Sequence, residues 1–153
     1  MSCELCTEHH AREIWRCKEA YVIDASEAEL PCFIRIVSTR HAAEMTDLPE
    51  HEQSLILSLV LAAESAMRRT AAPDKVNLAS LGNMVAHVHW HVIGRWRDDA
   101  FFPNSIWSSR LRTTPPEVLA QRREKNAELL RVLPEVLTSA RKAHEDKQRS
   151  QQS

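Results

Sequence analysis

A chain of 153 residues with 43% hydrophobic residues and a formal net charge of −1 fits a single domain with an ordinary core. With its acids and bases in balance it shows no polyanion-binding bias, which argues against nucleic acid as principal partner. The longest apolar run, Leu55 to Ala63, is too short to cross a bilayer, and Met1-Ser-Cys-Glu-Leu-Cys lacks the basic and apolar regions of a leader. The expectation is a soluble cytoplasmic protein.

In chain order, Cys3 to His10 reads as a metal knuckle or a loose start. Four cysteines, Cys3, Cys6, Cys17 and Cys32, are too few and too unevenly placed for a secreted disulfide scaffold. Ala20 to Asp24 and Cys32 to Val37 are predicted strands. In the second, Phe33, Arg35 and Val37 alternate with Cys32, Ile34 and Ile36, and the apolar set should meet the core. Thr46 or Asp47 can cap a helix entering at Leu48-Pro49 and running to about Thr70. Its apolar circumference, from Leu55 to Met67, is wider than one sheet surface needs, which suggests a second covering surface such as a partner subunit.

Val76 to Leu81 and Val85 to Ile93 read as consecutive central strands, with Gly82-Asn83 suited to a tight hairpin between them. Thr114-Pro-Pro-Glu117 has the capping-box pattern of a further helix. Pro134 should break or kink that helix near Leu133, and the polar segment 147–153 reads as a frayed tail.

The second of those central strands holds the most informative stretch, His87-Val-His-Trp-His-Val-Ile93. Its period of two puts three imidazoles on one strand face, roughly 7 Å apart, with Val88, Trp90 and Val92 on the other. Imidazole serves as nucleophile, proton carrier or metal ligand near neutral pH. The row therefore points to a metal site or a phosphate-handling site, against the plain alternative of a histidine-rich surface strand. Trp90, facing away, is expected to pack. The segment Asp98 to Trp107 could wall one end of such a site, and Arg95, Arg97 and Arg110 read as solvated.

The motif resembles the histidine triad (HIT) pattern, His-φ-His-φ-His-φ-φ with φ apolar, at every position. The stretch from Cys32 to Trp107 is similar to bacterial HIT proteins of the diadenosine polyphosphate hydrolase-like branch. It is similar through His41-Ala-Ala-Glu-Met-Thr-Asp-Leu48, Lys75 to Asn83 and Asp98 to Trp107. The resemblance implies an α+β fold: an antiparallel sheet of about five strands, one long helix packed on it, and C-terminal helices. It divides the chain into a HIT domain at 1–112, with a zinc knuckle at 3–10, a helical extension at 113–146 and the tail. It also implies a homodimer.

For the site, the resemblance implies that His89 attacks the α-phosphorus of a nucleotide, that His91 assists the leaving group, and that His87 orients the strand or joins a metal. Cys3, Cys6, His41 and His87 would form a four-ligand structural zinc site, with His9 or His10 as competing ligands. No organic cofactor is expected. Asp24 resembles the acidic residue that accepts from ribose, against a solvated strand-end carboxylate. Asn77 and Asn83 resemble the residues that hold phosphate and leaving group, and Ile23 and Phe33 could line a pocket for a purine base.

Two departures stand out. Met84 replaces a hydroxyl residue of many relatives, and Phe33 stands where many carry histidine, so the leaving group is the open question. The function implied is nucleotidyl hydrolysis or transfer on dinucleoside polyphosphates or nucleoside phosphoramidates. Its rivals are a nucleotide-binding regulatory protein with weak activity and a zinc-dependent hydrolase with the metal on the triad itself.

Overall fold

The computed structural model describes residues 2–153. Five antiparallel strands form one sheet: β1 (Glu13–Arg16), β2 (Ala20–Asp24), β3 (Phe33–Ser38), β4 (Lys75–Ala79) and β5 (His89–Arg95), in the spatial order β1-β2-β3-β5-β4. Two long helices, α1 (Glu50–Thr70) and α2 (Pro116–Gln151), lie together on one side. The α+β architecture expected from the sequence, an antiparallel sheet of five strands with a long helix packed on it, is the one observed, with one C-terminal helix in place of several. Among the described residues no helix is long and apolar enough to cross a membrane.

Alternation along the strands decides the two faces. Val22, Ile34, Ile36 and Val92 are cross-strand partners and pack in one cluster with Leu55, Ile56, Leu59, Val60, Ala63 and Met67 of α1. Leu129, Leu133 and Leu137 of α2, each fully enclosed, complete that cluster. α2 of the same chain thus supplies a second surface for the wide apolar face of α1, while Leu57 and Leu61 of that helix stay exposed at 41% and 57%. The opposite sheet face carries Ile23, Arg35, His91 and Ala79 in one cross-strand row. No helix covers it.

Four local expectations are corrected. First, α1 starts at Glu50 after Pro49, with no side-chain cap; Thr46 and Asp47 sit in a preceding 3-10 turn, Met45–Asp47. Second, β4 and β5 are not joined by a tight hairpin. β4 ends at Ala79, β5 begins at His89, and β4 is an edge strand. The chain before β5 bonds elsewhere: Val88 N–H donates to Ala42 O at 2.8 Å, and Ser38 N–H to Val88 O at 3.0 Å. Residues 80–88 become a loop, which Gly82 turns with φ +81°.

Third, α2 runs unbroken through Pro134. A helix-interior proline costs about 3 kcal/mol, whereas burying a leucine yields about 1.5–3 kcal/mol. Three buried leucines straddle the proline, so packing wins. The same helix continues into the polar segment as far as Gln151. Fourth, Arg95 is not solvated. It is 2% exposed, and its guanidinium donates to Asp99 at 2.7 and 3.1 Å, Asn77 Oδ1 at 2.7 Å and Asn104 O at 2.8 Å.

Candidate active site

β5 holds two of the three imidazoles in line. His89 and His91 stand opposite Val37 and Arg35 of β3, with ring centroids 5.0 Å apart. His87 lies before the strand, where the backbone turns, and its ring leaves the row. Its Nε2–H donates to Ser38 O at 2.6 Å, so its Nδ1 lone pair faces away from the sheet.

That lone pair meets three other ligating atoms. His87 Nδ1 lies 3.5 Å from Cys3 Sγ, 3.5 Å from Cys6 Sγ and 3.2 Å from His41 Nδ1. Cys6 Sγ lies 3.2 Å from His41 Nδ1, and all four atoms fall within 4.8 Å of one another. Tetrahedral zinc, with Zn–S of about 2.3 Å and Zn–N of about 2.0–2.1 Å, sets S···N edges near 3.5 Å and N···N edges near 3.3 Å. The cluster is compatible with a structural zinc ion. His9 and His10 are outside it.

The carbonyl of His87 has a second role, accepting from His89 Nδ1–H at 2.6 Å. This fixes the tautomer of His89, leaving Nε2 with its lone pair. Burial lowers the proton affinity of His89, partly opposed by that backbone bond, and the Arg35 charge lowers it further. His91 is pushed down to about 3 by burial first, then by Arg35 and His89. Its Nδ1 is enclosed without a partner. Both rings are neutral at pH 7.

A cleft of about 460 Å³ opens over these rings, lined by Glu4, Leu5, Arg35, residues 81–85, His89, His91 and Trp107. Trp107 stands edge-on to His91 at 5.0 Å, so the segment after β5 does wall the site. The opposite wall, Glu4-Leu5, is the turn between Cys3 and Cys6. Leu5 is 5% exposed against Tyr21, Ile23 and Val37, and its carbonyl accepts from Tyr21 Oη–H at 2.7 Å. The cysteine pair thus brackets a wall of the cleft.

The remaining expected site residues divide. Asn83 lines the cleft. Phe33 lies beneath it, its ring 5.5 Å from that of His91, in a cluster with Leu30, Ile93 and Ile106. Ile23 is covered by Leu5. Asn77 lies outside the cleft, its carbonyl oxygen taken by Arg95. Asp24 pairs with Ile34 in register, on the α1 side of the sheet, and binds Arg12 Nη2 at 3.2 Å and the Ser26 amide at 3.0 Å. Arg35 and Leu5 are among the lining residues that have no place in the site expected from the sequence. Alternation had put Arg35 on the face with Phe33, which was the available signal; nothing local placed Leu5.

An antiparallel sheet that presents two imidazoles, one with its tautomer fixed, in a cleft on its other face defines a histidine-centred α+β domain. Residues 7–98 match the HIT domain, and the chain belongs to that family. No curated protein matches the chain. Among solved structures it is similar to a histidine triad protein from Bradyrhizobium japonicum, at 27% identity over 81% of this chain and 95% of that one, TM-score 0.62. A histidine triad protein from Marinobacter aquaeolei is 26% identical over 79% and 89%, TM-score 0.62. A zinc-bound histidine triad family protein from Mycobacterium smegmatis, at 21% identity over 84% and 96% and TM-score 0.54, shares the fold. HIT membership is consistent with nucleotide binding and with nucleotidyl hydrolase or transferase chemistry.

Proposed function

We propose that the protein is a nucleotidyl hydrolase or transferase that works through a covalent adduct on His89. Its substrates would be dinucleoside polyphosphates or nucleoside phosphoramidates with a purine base. The observation that carries the reading is the 2.6 Å bond from His89 Nδ1 to the His87 carbonyl. It holds a neutral imidazole with the Nε2 lone pair free beside the cleft, as a nucleophile requires. Nε2 forms a bond to the α-phosphorus, the bond to the leaving group breaks, and its electron pair departs with that group. The Nδ1–H bond to His87 O supports the cationic ring so formed. Water then attacks phosphorus, the P–N pair returns to Nε2, and a proton is released to solvent.

His91 stands next to the reacting centre and shapes the leaving-group side, with Asn83 as the polar side chain of the facing loop. Cys3, Cys6, His41 and His87 would hold one zinc ion. Four protein ligands leave no open position for water, so its role would be structural. A homodimer rests on the family resemblance, and Leu57 and Leu61 are large apolar side chains of α1 that it could cover. Light scattering near twice 17.5 kDa is its test.

The decisive experiment quenches the enzyme during turnover of an α-labelled dinucleoside polyphosphate. Label should remain on the peptide containing His89, acid-labile and base-stable. His89→Ala should abolish turnover while keeping nucleotide affinity. Near-normal turnover by that variant would refute the adduct.

A further inference from the structure

We propose that Arg35 is the anion-binding residue of the cleft, holding the phosphoryl oxygens of a bound nucleotide. The inference rests on the reading of the site as a nucleotide site, and adds to it a residue from outside the histidine motif.

Arg35 is placed by β3, directly opposite His91 and one step along the face from the partner of His89. Its guanidinium lies 5.6 Å over the Phe33 ring, which holds it by its face and leaves the N–H edges free. Those edges have no partner. Nε is enclosed and unbonded, and among the described residues no carboxylate forms an ion pair with this arginine. A desolvated cation without a partner is unfavourable. Arg95, on the same sheet face, shows how this chain treats a buried guanidinium that serves the fold, with an aspartate, an amide and a carbonyl all supplied. Arg35 is kept open.

The charge inventory of the cleft points to the missing partner. Its lining contains one fixed cation, Arg35, and one acidic residue, Glu4 at the rim. A phosphoryl group within reach of His89 would meet no other permanently charged donor. A planar fork of donors matches two non-bridging oxygens of one phosphate. Arg35 exchanges no proton and makes no covalent bond; it balances charge in the bound substrate and as that charge redistributes during transfer.

The test is calorimetric binding of adenosine, AMP and inorganic pyrophosphate to the full zinc-loaded chain, as wild type, Arg35→Leu and Arg35→Lys. Wild type should bind AMP more tightly than adenosine. Arg35→Leu should weaken AMP and pyrophosphate by about tenfold or more, leave adenosine unchanged, and flatten the salt dependence. Arg35→Lys should keep part of the anion preference. Because leucine removes an unpaired, partly buried charge, Arg35→Leu should melt no lower than wild type, and Arg35→Lys controls for any loss of fold. Equal weakening of adenosine and AMP would overturn the inference in favour of contact with the base. An unchanged AMP affinity, or a wild type that binds none of the three, would also overturn it. If pyrophosphate alone bound, and depended on Arg35, the nucleotide reading would fall while the anion site stood.

Discussion

Removing the metal proposed at Cys3, Cys6, His41 and His87 should detach a wall of the cleft while leaving the sheet intact. The magnitude follows from what else holds residues 3–7. Ordering five residues costs about 5–10 kcal/mol at about 1–2 kcal/mol each. Against this stand the burial of Leu5, about 1.5–3 kcal/mol, and two hydrogen bonds, Tyr21 to Leu5 O and Arg16 to Thr7 O, at about 1 kcal/mol apiece. The segment falls short of stable docking by a few kcal/mol. A metal present at about a thousand times its Kd contributes about 4 kcal/mol, enough to reverse the balance.

Hydrogen exchange measured by mass spectrometry, before and after chelation and again after zinc is restored, reads this directly. The peptide spanning residues 2–12 should lose protection on chelation and regain it with zinc, while peptides from β2, β3 and α1 stay protected. KM should rise more than kcat falls. Glu4 and Leu5 line the cleft, but His87 keeps its bond to Ser38 O and its carbonyl still holds His89. Protein shown to be metal-free by elemental analysis, yet with an N-terminal peptide still fully protected, would refute the reasoning.

Three further substitutions probe the scaffold. Asp99→Asn removes the anion that faces enclosed Arg95 and should lower stability in urea unfolding by about 3–5 kcal/mol. Burial alone would raise the Asp99 carboxyl, but bonds from Arg95 and from the Phe101 and Phe102 amides hold it below its usual value. The wild-type advantage should therefore be complete above the unfolded pKa of about 3.9 and vanish as pH falls through the lower folded value. A variant gap that survives well below that pH would contradict the ion-pair account. A Cβ at Gly94 would stand 3.1 Å from Cys32 Cβ and 3.3 Å from Met67 Sδ, so Gly94→Ala should cost about 1–3 kcal/mol by overpacking; equal melting temperatures would show that α1 yields freely. Pro134→Ala should stabilise the chain by up to about 3 kcal/mol, because α2 gains an amide donor without losing its leucines. An unchanged or lower stability would mean that the proline is already accommodated by relaxation of the turn before it.

What was legible in the sequence was whatever depends on period and spacing. Alternation in β3 and β5 assigned Ile34, Ile36 and Val92 to the packed face and Arg35, His89 and His91 to the other, and both assignments hold in the sheet register. The helix from Glu50 to Thr70 was legible from its apolar stripes, but its covering was not, since circumference reveals that a second surface exists and not which chain supplies it. The hairpin at Gly82-Asn83 was misread for a related reason: turn propensity is local, whereas the amide and carbonyl of Val88 are claimed by Ala42 and Ser38, 46 and 50 positions upstream. Strand periodicity also overreached at His87, because it assumes that the strand extends as far as the pattern does. The chain joins the ladder at His89, two residues later than the pattern suggests, and that delay has a chemical consequence. It turns one imidazole of the three toward the cysteines and frees its carbonyl to orient the next. A strict row would have left all three side chains equivalent in environment. The break in the row makes His87 a bridge between a candidate metal site and a candidate nucleophile, two sites that the sequence could only place side by side.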